Sequence, residues 1–182
     1  MFTRLAIPDV ILVQPRRHAD NRGWFTETYN ADIWRQFGIT STFVQDNESF
    51  SSAAGTIRGL HFQVPPMAQG KLVRCTVGAV FDVAVDLRRG SSTFGHHVAV
   101  DLSAEQGNQL YIPEGFAHGY CSILSNSIVE YKVTRPYAPT TERGIAWNDA
   151  ALDIAWPLFG RTPIVSPRDR ELPPISEANL VF

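Results

Sequence analysis

The sequence contains few of the residues that build disulfide or zinc frameworks. Only two cysteines occur among 182 residues, Cys75 and Cys121, and neither has a CxxC spacing or an adjacent histidine. A disulfide scaffold or a zinc site normally needs more cysteines at closer spacing. Both cysteines lie inside apolar, strand-like runs, so we expect buried free thiols in a reducing compartment.

Long apolar runs and a strong net charge are also missing. No stretch approaches the roughly 18 apolar residues needed to cross a bilayer, and the N-terminal segment MFTRLAIPDV lacks the basic and long hydrophobic regions of a signal peptide. The net charge of −2 gives no general attraction for nucleic acid or for an anionic membrane. We therefore expect a soluble, cytoplasmic protein that binds any anionic ligand through a local cluster of cations.

Short β-type runs separated by turn residues dominate most of the chain. Examples are STFVQD, TIRGLHFQ, KLVRCTV, AVFDVAVDL, HHVAVDL, NQLYIP and SIVEYKVT, and their spacing predicts a mainly β sandwich or barrel. In VFDVAVDL, alternation places Asp82 and Asp86 on the face opposite Phe81 and Leu87. This pattern predicts one core face and one mixed face, followed by a turn at RRGSS.

One helix is predicted before the C-terminal region, at NADIWRQFG, where Asn30 can cap its start and Gly38 can end it. After about residue 145 the alternation gives way to a proline-rich tail. We expect residues 1–182 to form one domain in which this tail wraps the barrel as loops and short helical turns.

The motif IPEGFAHG has the PxGxxH form of the second metal-binding motif of cupin barrels. Such barrels also need a first motif with an HxH pair, but the corresponding residues are His61, Phe62 and Gln63. The adjacent His96 and His97 do not replace the missing ligand, because neighbouring residues of a strand point to opposite faces. We therefore expect no metal site, since too few ligands remain to close on one ion.

Acid and base chemistry fits the ionisable residues better. His61, Lys71 and Tyr131 all lie on predicted strands, which can hold them around one cavity. Imidazole is the commonest general base, a nearby cation can stabilise an enolate oxygen, and a tyrosine can return a proton. The alternative is structural, because a strand histidine is often a core residue and a strand lysine often reaches solvent.

Arg58 and His61 are separated by an odd number of residues. On a regular strand they would therefore face opposite sides of the sheet. Gly59 lies between them and permits a bulge that could bring both side chains inward.

Several long motifs occur in order along nearly the whole chain: RGLHFQ, QGKLVRC, VFDVAVDLR, TFG, QLYIPEGFAHGY, EYK and WND. Together, from about residue 4 to 175, they closely resemble the dTDP-4-dehydrorhamnose 3,5-epimerase family. The resemblance implies a cupin-type jelly-roll barrel that acts as a homodimer without metal or other cofactor. It also implies an isomerase that inverts C3 and C5 of dTDP-4-dehydro-6-deoxy-D-glucose, giving dTDP-4-dehydro-L-rhamnose.

The resemblance also implies roles for individual residues. His61 would be the base, Asp169 its carboxylate partner, Lys71 the cation at the C4 oxygen, and Tyr131 the acid on the opposite face of the sugar ring. Substrate contacts map to Arg22, Glu27, Gln45, Asn47, Arg58, His118, Glu142 and Arg168. Arg168 stands where the family usually has lysine, which keeps the charge but changes its geometry.

Three alternatives remain open at this stage. Relatives with the same framework invert only C3 or only C5, so the chain could be a single-site epimerase acting on a related nucleotide sugar. PEGFAH alone would suit a metal-dependent cupin enzyme such as a dioxygenase. A non-catalytic sugar-binding barrel would use His61 and Lys71 only as ligand contacts.

Overall fold

A computed structural model describes residues 1–182, and β-strands make up most of its regular structure. The strands are β1 Phe2–Arg4, β2 Ile11–Val13, β3 Arg17–Asp20, β4 Gly23–Thr26, β5 Gln45–Ser51, β6 Thr56–Gln63, β7 Lys71–Val77, β8 Ala79–Asp86, β9 His97–Ser103, β10 Gln109–Ile112, β11 Phe116–Ser122, β12 Ser127–Val133, β13 Glu142–Gly144 and β14 Ile164–Val165. The two helices are α1 Ala31–Arg35 and α2 Pro167–Arg170. No helix is long and apolar enough to cross a membrane.

Two six-stranded sheets form the sandwich. The first has the order β1-β2-β10-β7-β12-β5, and the second has the order β13-β6-β11-β8-β9 with β14 added beside β6. Neighbouring strands are antiparallel except for the short parallel pair of β14 with β6. Val73 and Val129 of the first sheet pack with Val80 and Phe116 of the second in one buried cluster. This double-sheet arrangement confirms the mainly β, jelly-roll prediction.

The C-terminal region covers the outer face of the second sheet. Ile145, Leu152 and Leu180 are buried there against Val83 and Leu87 of the β8 region. Because of this cover, both faces of β8 are buried, whereas the sequence pattern predicts one core face and one mixed face. Burying each such aliphatic side chain stabilises the fold by about 1.5–3 kcal/mol relative to leaving it exposed.

The helix predicted at NADIWRQFG is confirmed in a short form. The side chain of Asn30 accepts hydrogen bonds from the backbone N–H groups of Asp32 and Ile33, as an N-cap residue does. Gly38 has a φ of +89° just after the helix, a conformation that favours glycine. Trp34 is the buried residue of this helix and packs near Ile11 and Val13 of β2.

The two cysteines are free and buried, as expected from the sequence. Burial raises the pKa of both the Cys75 and Cys121 thiols to about 11. Their thiolate forms are therefore scarce near neutral pH, and both side chains act as small apolar residues of the core.

Candidate functional site

A cavity of about 530 Å³ lies between the two sheets, beside β5, which is the edge strand of the first sheet, and β6 of the second. Both sheets and the short helix α2 contribute side chains to its wall. Seven of the residues singled out from the sequence line it: Arg58, His61, Lys71, His118, Tyr131, Arg168 and Asp169.

An irregularity in β6 brings two of these side chains to the same cavity. The register between β6 and β11 shifts between His118 and Tyr120, next to Gly59. Gly59 has a φ of +124°, and a Cβ atom added there would lie 2.5 Å from the Cα atom of Gly119. Only glycine fits this close crossing, and the bulge that the sequence permits is present, so both Arg58 and His61 line the cavity.

His61 and Asp169 are in direct contact, although 108 positions separate them in the chain. The Nε2 atom of His61 lies 2.8 Å from Oδ1 of Asp169, and the backbone N–H of Gly59 donates to Oδ2 at 3.2 Å. Ser166 caps α2 by accepting a hydrogen bond from the backbone N–H of Asp169. This capped turn fixes the carboxylate against the imidazole.

The ionised form of Asp169 is favoured by these contacts. Burial acts to raise the pKa of Asp169, but the hydrogen bond and charge of His61, together with the N–H of Gly59, bring that pKa below its usual value. When the Nε2 proton of His61 is donated to this carboxylate, the Nδ1 atom carries the lone pair. The imidazole is about 31% exposed, so a ligand in the cavity can reach it.

Lys71 begins β7 on the opposite sheet and is almost fully buried. Its Nζ atom donates to the backbone carbonyl oxygen of His61 at 3.3 Å, which places a cation beside this histidine. Burial lowers the pKa of Lys71 to about 8, although the charges of Asp82 and Glu142 act to raise it. At neutral pH the ammonium group is therefore charged in most molecules.

His118 hydrogen-bonds to Asp82, which was not identified as a site residue from the sequence. Its Nε2 atom lies 3.0 Å from both carboxylate oxygens of Asp82, which is completely buried on β8. Burial is the main cause of a lowered pKa of His118, and the charge of Lys71 lowers it further while Asp82 opposes the shift. The available signal was the position of Asp82 within an apolar strand, because a buried carboxylate requires a partner.

Tyr131 lies on β12, across the cavity from β6. Burial raises the pKa of its phenol, and the nearby charge of Arg58 partly offsets this increase. The hydroxyl is therefore protonated at neutral pH. His61 and Tyr131 thus stand on opposite sheets, with Lys71 on the same sheet as Tyr131.

Glu142 lies beside the cavity but is occupied by two partners. Arg168 approaches its Oε2 atom within 2.5 Å, and the hydroxyl of Tyr137 donates to the same oxygen at 2.6 Å. Burial acts to raise the pKa of Glu142, but these two partners lower it. Tyr137 was not identified from the sequence, since nothing in its local pattern marks it as a partner of Glu142.

Gln45 and Asn47 lie on β5 next to the cavity. Alternation places them on the same face as Ser49, which lines it. The side-chain amide of Gln45 donates to Oδ1 of Asn47 at 2.8 Å, and its Oε1 atom accepts from the backbone N–H of Tyr137 at 3.0 Å. Both residues border the cavity without forming part of its wall.

Arg22 and Glu27 are not brought to this cavity within one chain. Arg22 is exposed at the tip of the β3–β4 hairpin, where its side chain pairs with Asp20. Glu27 accepts a hydrogen bond from Asn30 at 3.2 Å instead. The physical reason is that the hairpin forms a separate two-stranded sheet, which Arg17 attaches to the loop after β9 by donating to the carbonyl oxygen of Ala104.

No three histidine, cysteine, aspartate or glutamate side chains converge to form a group that could hold a metal ion. The two cavity histidines are each paired with a different carboxylate, Asp169 for His61 and Asp82 for His118.

Comparisons with known proteins agree closely on one family. A family model described as dTDP-4-dehydrorhamnose 3,5-epimerase matches residues 4–177. A dTDP-4-dehydrorhamnose 3,5-epimerase of Pseudomonas aeruginosa is 54% identical over 170 residues, which cover 93% of this chain and 92% of that protein.

Solved structures give the same result. The crystal structure of dTDP-4-dehydrorhamnose 3,5-epimerase from Bacillus anthracis with TDP and pyrophosphate bound has a TM-score of 0.92 and 46% identity, covering 96% of this chain and 98% of that one. The Legionella pneumophila dTDP-6-deoxy-D-glucose-3,5-epimerase in complex with dTDP-4-keto-L-rhamnose also has a TM-score of 0.92, with 41% identity over 97% of this chain and 93% of that one.

Proposed function

This chain belongs to the dTDP-4-dehydrorhamnose 3,5-epimerase family, and from that premise we propose how its own cavity performs the reaction. The substrate is dTDP-4-dehydro-6-deoxy-D-glucose, and inversion at C3 and C5 gives dTDP-4-dehydro-L-rhamnose. The observation that carries the proposal is the contact of His61 with Asp169 in a cavity that Lys71 and Tyr131 also line. The enzyme is an isomerase of carbohydrate biosynthesis.

The base in this proposal is the Nδ1 atom of His61. Protons on C3 and C5 are acidic because both carbons are adjacent to the C4 ketone. His61 takes one of these protons, and the electron pair of the C–H bond moves to the C4 oxygen as an enolate. Asp169 stabilises the imidazolium that results, because its carboxylate accepts the hydrogen bond from Nε2.

Lys71 and Tyr131 complete the step. The ammonium group of Lys71 stabilises the negative charge on the C4 oxygen, where a buried cation has a much larger effect than in water. Tyr131 then donates its proton to the carbon from the opposite ring face, which inverts the centre. Before the second inversion, His61 releases its extra proton to solvent and the Tyr131 phenolate takes up a proton from solvent.

The ionisation of Lys71 predicts a loss of activity at alkaline pH. Because the pKa of Lys71 is lowered to about 8, the cation is lost as the pH rises through this value, well below the ordinary pKa of lysine. We expect kcat/KM to fall about tenfold per pH unit above pH 8, because this constant reports the ionisation of the free enzyme. A pH profile of kcat/KM checks this, and a plateau extending to pH 10 would show that a charged Lys71 is not required.

We also propose that the protein is a homodimer in which each subunit's hairpin completes the other's site. In support, Arg22 does not line the cavity of its own chain. The nearby side chains of Trp24 and Phe25 are 57% and 71% exposed. The guanidinium of Arg22 suits a diphosphate, as does that of Arg168.

Mixing two inactive variants tests this arrangement. In a mixed dimer of Arg22→Ala and His61→Asn subunits, one site retains both an intact His61 and an intact Arg22 from the other subunit. We expect a light-scattering mass near twice that of the 20.3 kDa chain, and activity after subunit exchange that exceeds the sum of the separate variants. A monomeric mass, or no gain on mixing, would contradict the proposal.

The reaction itself is tested by identifying the product sugars. Purified protein is incubated with dTDP-4-dehydro-6-deoxy-D-glucose, the ketone is reduced with borohydride, and the released 6-deoxyhexoses are separated. Inversion at both carbons gives L-rhamnose and 6-deoxy-L-talose. Inversion at C3 alone gives 6-deoxy-D-allose and 6-deoxy-D-gulose, whereas inversion at C5 alone gives 6-deoxy-L-altrose and 6-deoxy-L-idose.

Each outcome of this experiment decides between candidate functions. The proposed reaction predicts L-rhamnose and 6-deoxy-L-talose. Recovery of 6-deoxy-D-allose and 6-deoxy-D-gulose alone would identify a C3 epimerase, and recovery of 6-deoxy-L-altrose and 6-deoxy-L-idose alone would identify a C5 epimerase. Recovery of only quinovose and fucose, the reduction products of unchanged substrate, would support a sugar-binding barrel. Metal analysis of the same sample tests the metal-dependent cupin alternative, which would require a stoichiometric ion.

We further propose that residues 1–182 act as one domain in the cytoplasm. The C-terminal region supports the single-domain proposal because it supplies both Arg168 and Asp169 to the cavity. The buried free thiols of Cys75 and Cys121 support a reducing compartment. Limited proteolysis and cell fractionation would test these two statements.

A further inference from the structure

A second tyrosine lines the cavity and has no part in the proposed mechanism. Tyr120 lies on β11 of the second sheet, two residues after His118, and only 4% of it is exposed. Its hydroxyl lies 2.6 Å from the Oγ atom of Ser49, which belongs to β5 of the first sheet. This hydrogen bond therefore connects the two sheets across the cavity.

The direction of the hydrogen bond follows from the other contact of Ser49. The Ser49 hydroxyl donates its proton to the backbone carbonyl oxygen of Val129 at 3.4 Å, so its oxygen is available as an acceptor. Tyr120 is then the donor in the bond between the two hydroxyls. The remaining lone-pair direction of the Tyr120 oxygen is free to accept a hydrogen bond from a ligand.

Arg58 closes the same end of the cavity. Its Nη2 atom donates to the carbonyl oxygen of Phe50 at 2.8 Å, and its Nε atom lies 3.4 Å from Oγ of Ser51. Since Phe50 and Ser51 belong to β5, this arginine bridges β5 of the first sheet and β6 of the second next to Tyr120. Arg58, Ser49 and Tyr120 therefore form one connected part of the cavity wall.

We propose that Tyr120 is a specificity-determining residue that accepts a hydrogen bond from the C2 hydroxyl of the sugar. This inference rests on the proposed function, which places C3, C4 and C5 among His61, Lys71 and Tyr131. Tyr120 lies beyond His118 along β11, so it faces a neighbouring part of the ring. The C2 hydroxyl is the suitable partner, because C2 keeps its configuration while C3 and C5 invert, and one contact can persist through both inversions.

The test compares two substrates in two enzymes. The substrates are dTDP-4-dehydro-6-deoxy-D-glucose and its analogue without the C2 hydroxyl, and the enzymes are the parent protein and Tyr120→Phe. We expect the parent protein to prefer the hydroxylated sugar, and Tyr120→Phe to reduce this preference in kcat/KM by about three- to tenfold, the effect of one neutral hydrogen bond. With the 2-deoxy analogue, kcat/KM of Tyr120→Phe should stay within about twofold of the parent value, since that sugar cannot make the hydrogen bond in either enzyme.

A matched control separates this role from a general effect of losing a buried hydroxyl. Tyr111 also bonds to a serine, with its hydroxyl 2.9 Å from Oγ of Ser41, but it does not line the cavity. Tyr111→Phe should leave the substrate preference unchanged. If Tyr120→Phe does not fold, Ser49→Ala, which frees the phenol to rotate, should lower the preference in the same direction by a smaller factor.

The outcomes distinguish this inference from the proposed function. If the parent protein inverts the hydroxylated sugar but Tyr120→Phe keeps the full preference, the role of Tyr120 is overturned and the proposed function stands. If the parent protein inverts neither sugar, the proposed function fails first. A drop in the rate of Tyr120→Phe by the same factor with both sugars would show a purely structural role and would also overturn the inference.

Discussion

Replacing His61 with asparagine is expected to slow inversion at both C3 and C5 by about three orders of magnitude, within the range of about 10²–10⁴ that a general base contributes. The reason is that the only proposed base for both carbons is the imidazole held by Asp169 at 2.8 Å. Asparagine has a similar size and can still hydrogen-bond to Asp169, but it cannot take a proton from carbon. NMR measures the rate of inversion at C3 and at C5 separately, which gives a kcat for each carbon.

A control for His61→Asn is the binding of dTDP, which should change by less than about threefold because the proposed role of His61 is proton transfer at the sugar. Asp169→Asn should give a smaller loss than His61→Asn, because the base remains but its partner no longer stabilises the imidazolium. If His61→Asn kept more than about a tenth of the parent rate at either carbon, a different base would have to serve that carbon.

Replacing Lys71 with methionine is expected to lower kcat by about 10²–10³-fold, the effect of removing one group that stabilises an oxyanion. Methionine matches the length and apolar character of the lysine stem, so the nearly buried position remains filled. The loss should appear mainly in kcat, because the charge on the C4 oxygen develops only after proton removal. Steady-state kinetics with the natural substrate measure both constants.

Lys132→Met is the matched control for this variant. Lys132 lies on β12 but pairs with Asp46 at an exposed position outside the cavity, so its loss should change kcat by less than about twofold. If Lys71→Met raised KM alone and left kcat unchanged, Lys71 would bind the ground state rather than stabilise the enolate.

Local patterns were enough to predict the mainly β class and many of the strands. The alternation of TIRGLHFQ, KLVRCTV and AVFDVAVDL corresponds to β6, β7 and β8, and Asn30 caps a helix as expected. These features depend on residues close in sequence, where the strand period and capping chemistry act. The register shift near Gly59 also followed from one residue, because glycine between Arg58 and His61 permits the bulge.

Long-range partners could not be predicted from the same patterns. Nothing near His118 indicates that Asp82 accepts its hydrogen bond, and nothing near Tyr120 indicates Ser49, because these pairs lie 36 and 71 positions apart. RRGSS was correctly predicted as a turn. That Asp86 is buried and accepts hydrogen bonds from three residues of the following loop, Arg88, Ser91 and Thr93, depends on the folded loop and could not be predicted.

The placement of Arg22 and Glu27 differs for another reason. The resemblance assigns them to substrate binding, and a single chain leaves them on the β3–β4 hairpin and the segment after it, outside the cavity wall. A sequence pattern assigns residues to a site but does not say which copy of the chain supplies them. The mixing experiment with Arg22→Ala therefore tests the proposal that a second copy supplies Arg22.

The central claim is that one imidazole in this cavity removes protons from both carbons next to the ketone. The most direct measurement is an incubation of the parent protein with dTDP-4-dehydro-6-deoxy-D-glucose in heavy water, with NMR assignment of each deuterium. We expect deuterium at both C3 and C5, and at neither carbon with His61→Asn over the same time. Deuterium at neither carbon with the folded parent protein, or unchanged incorporation with His61→Asn, would contradict the claim.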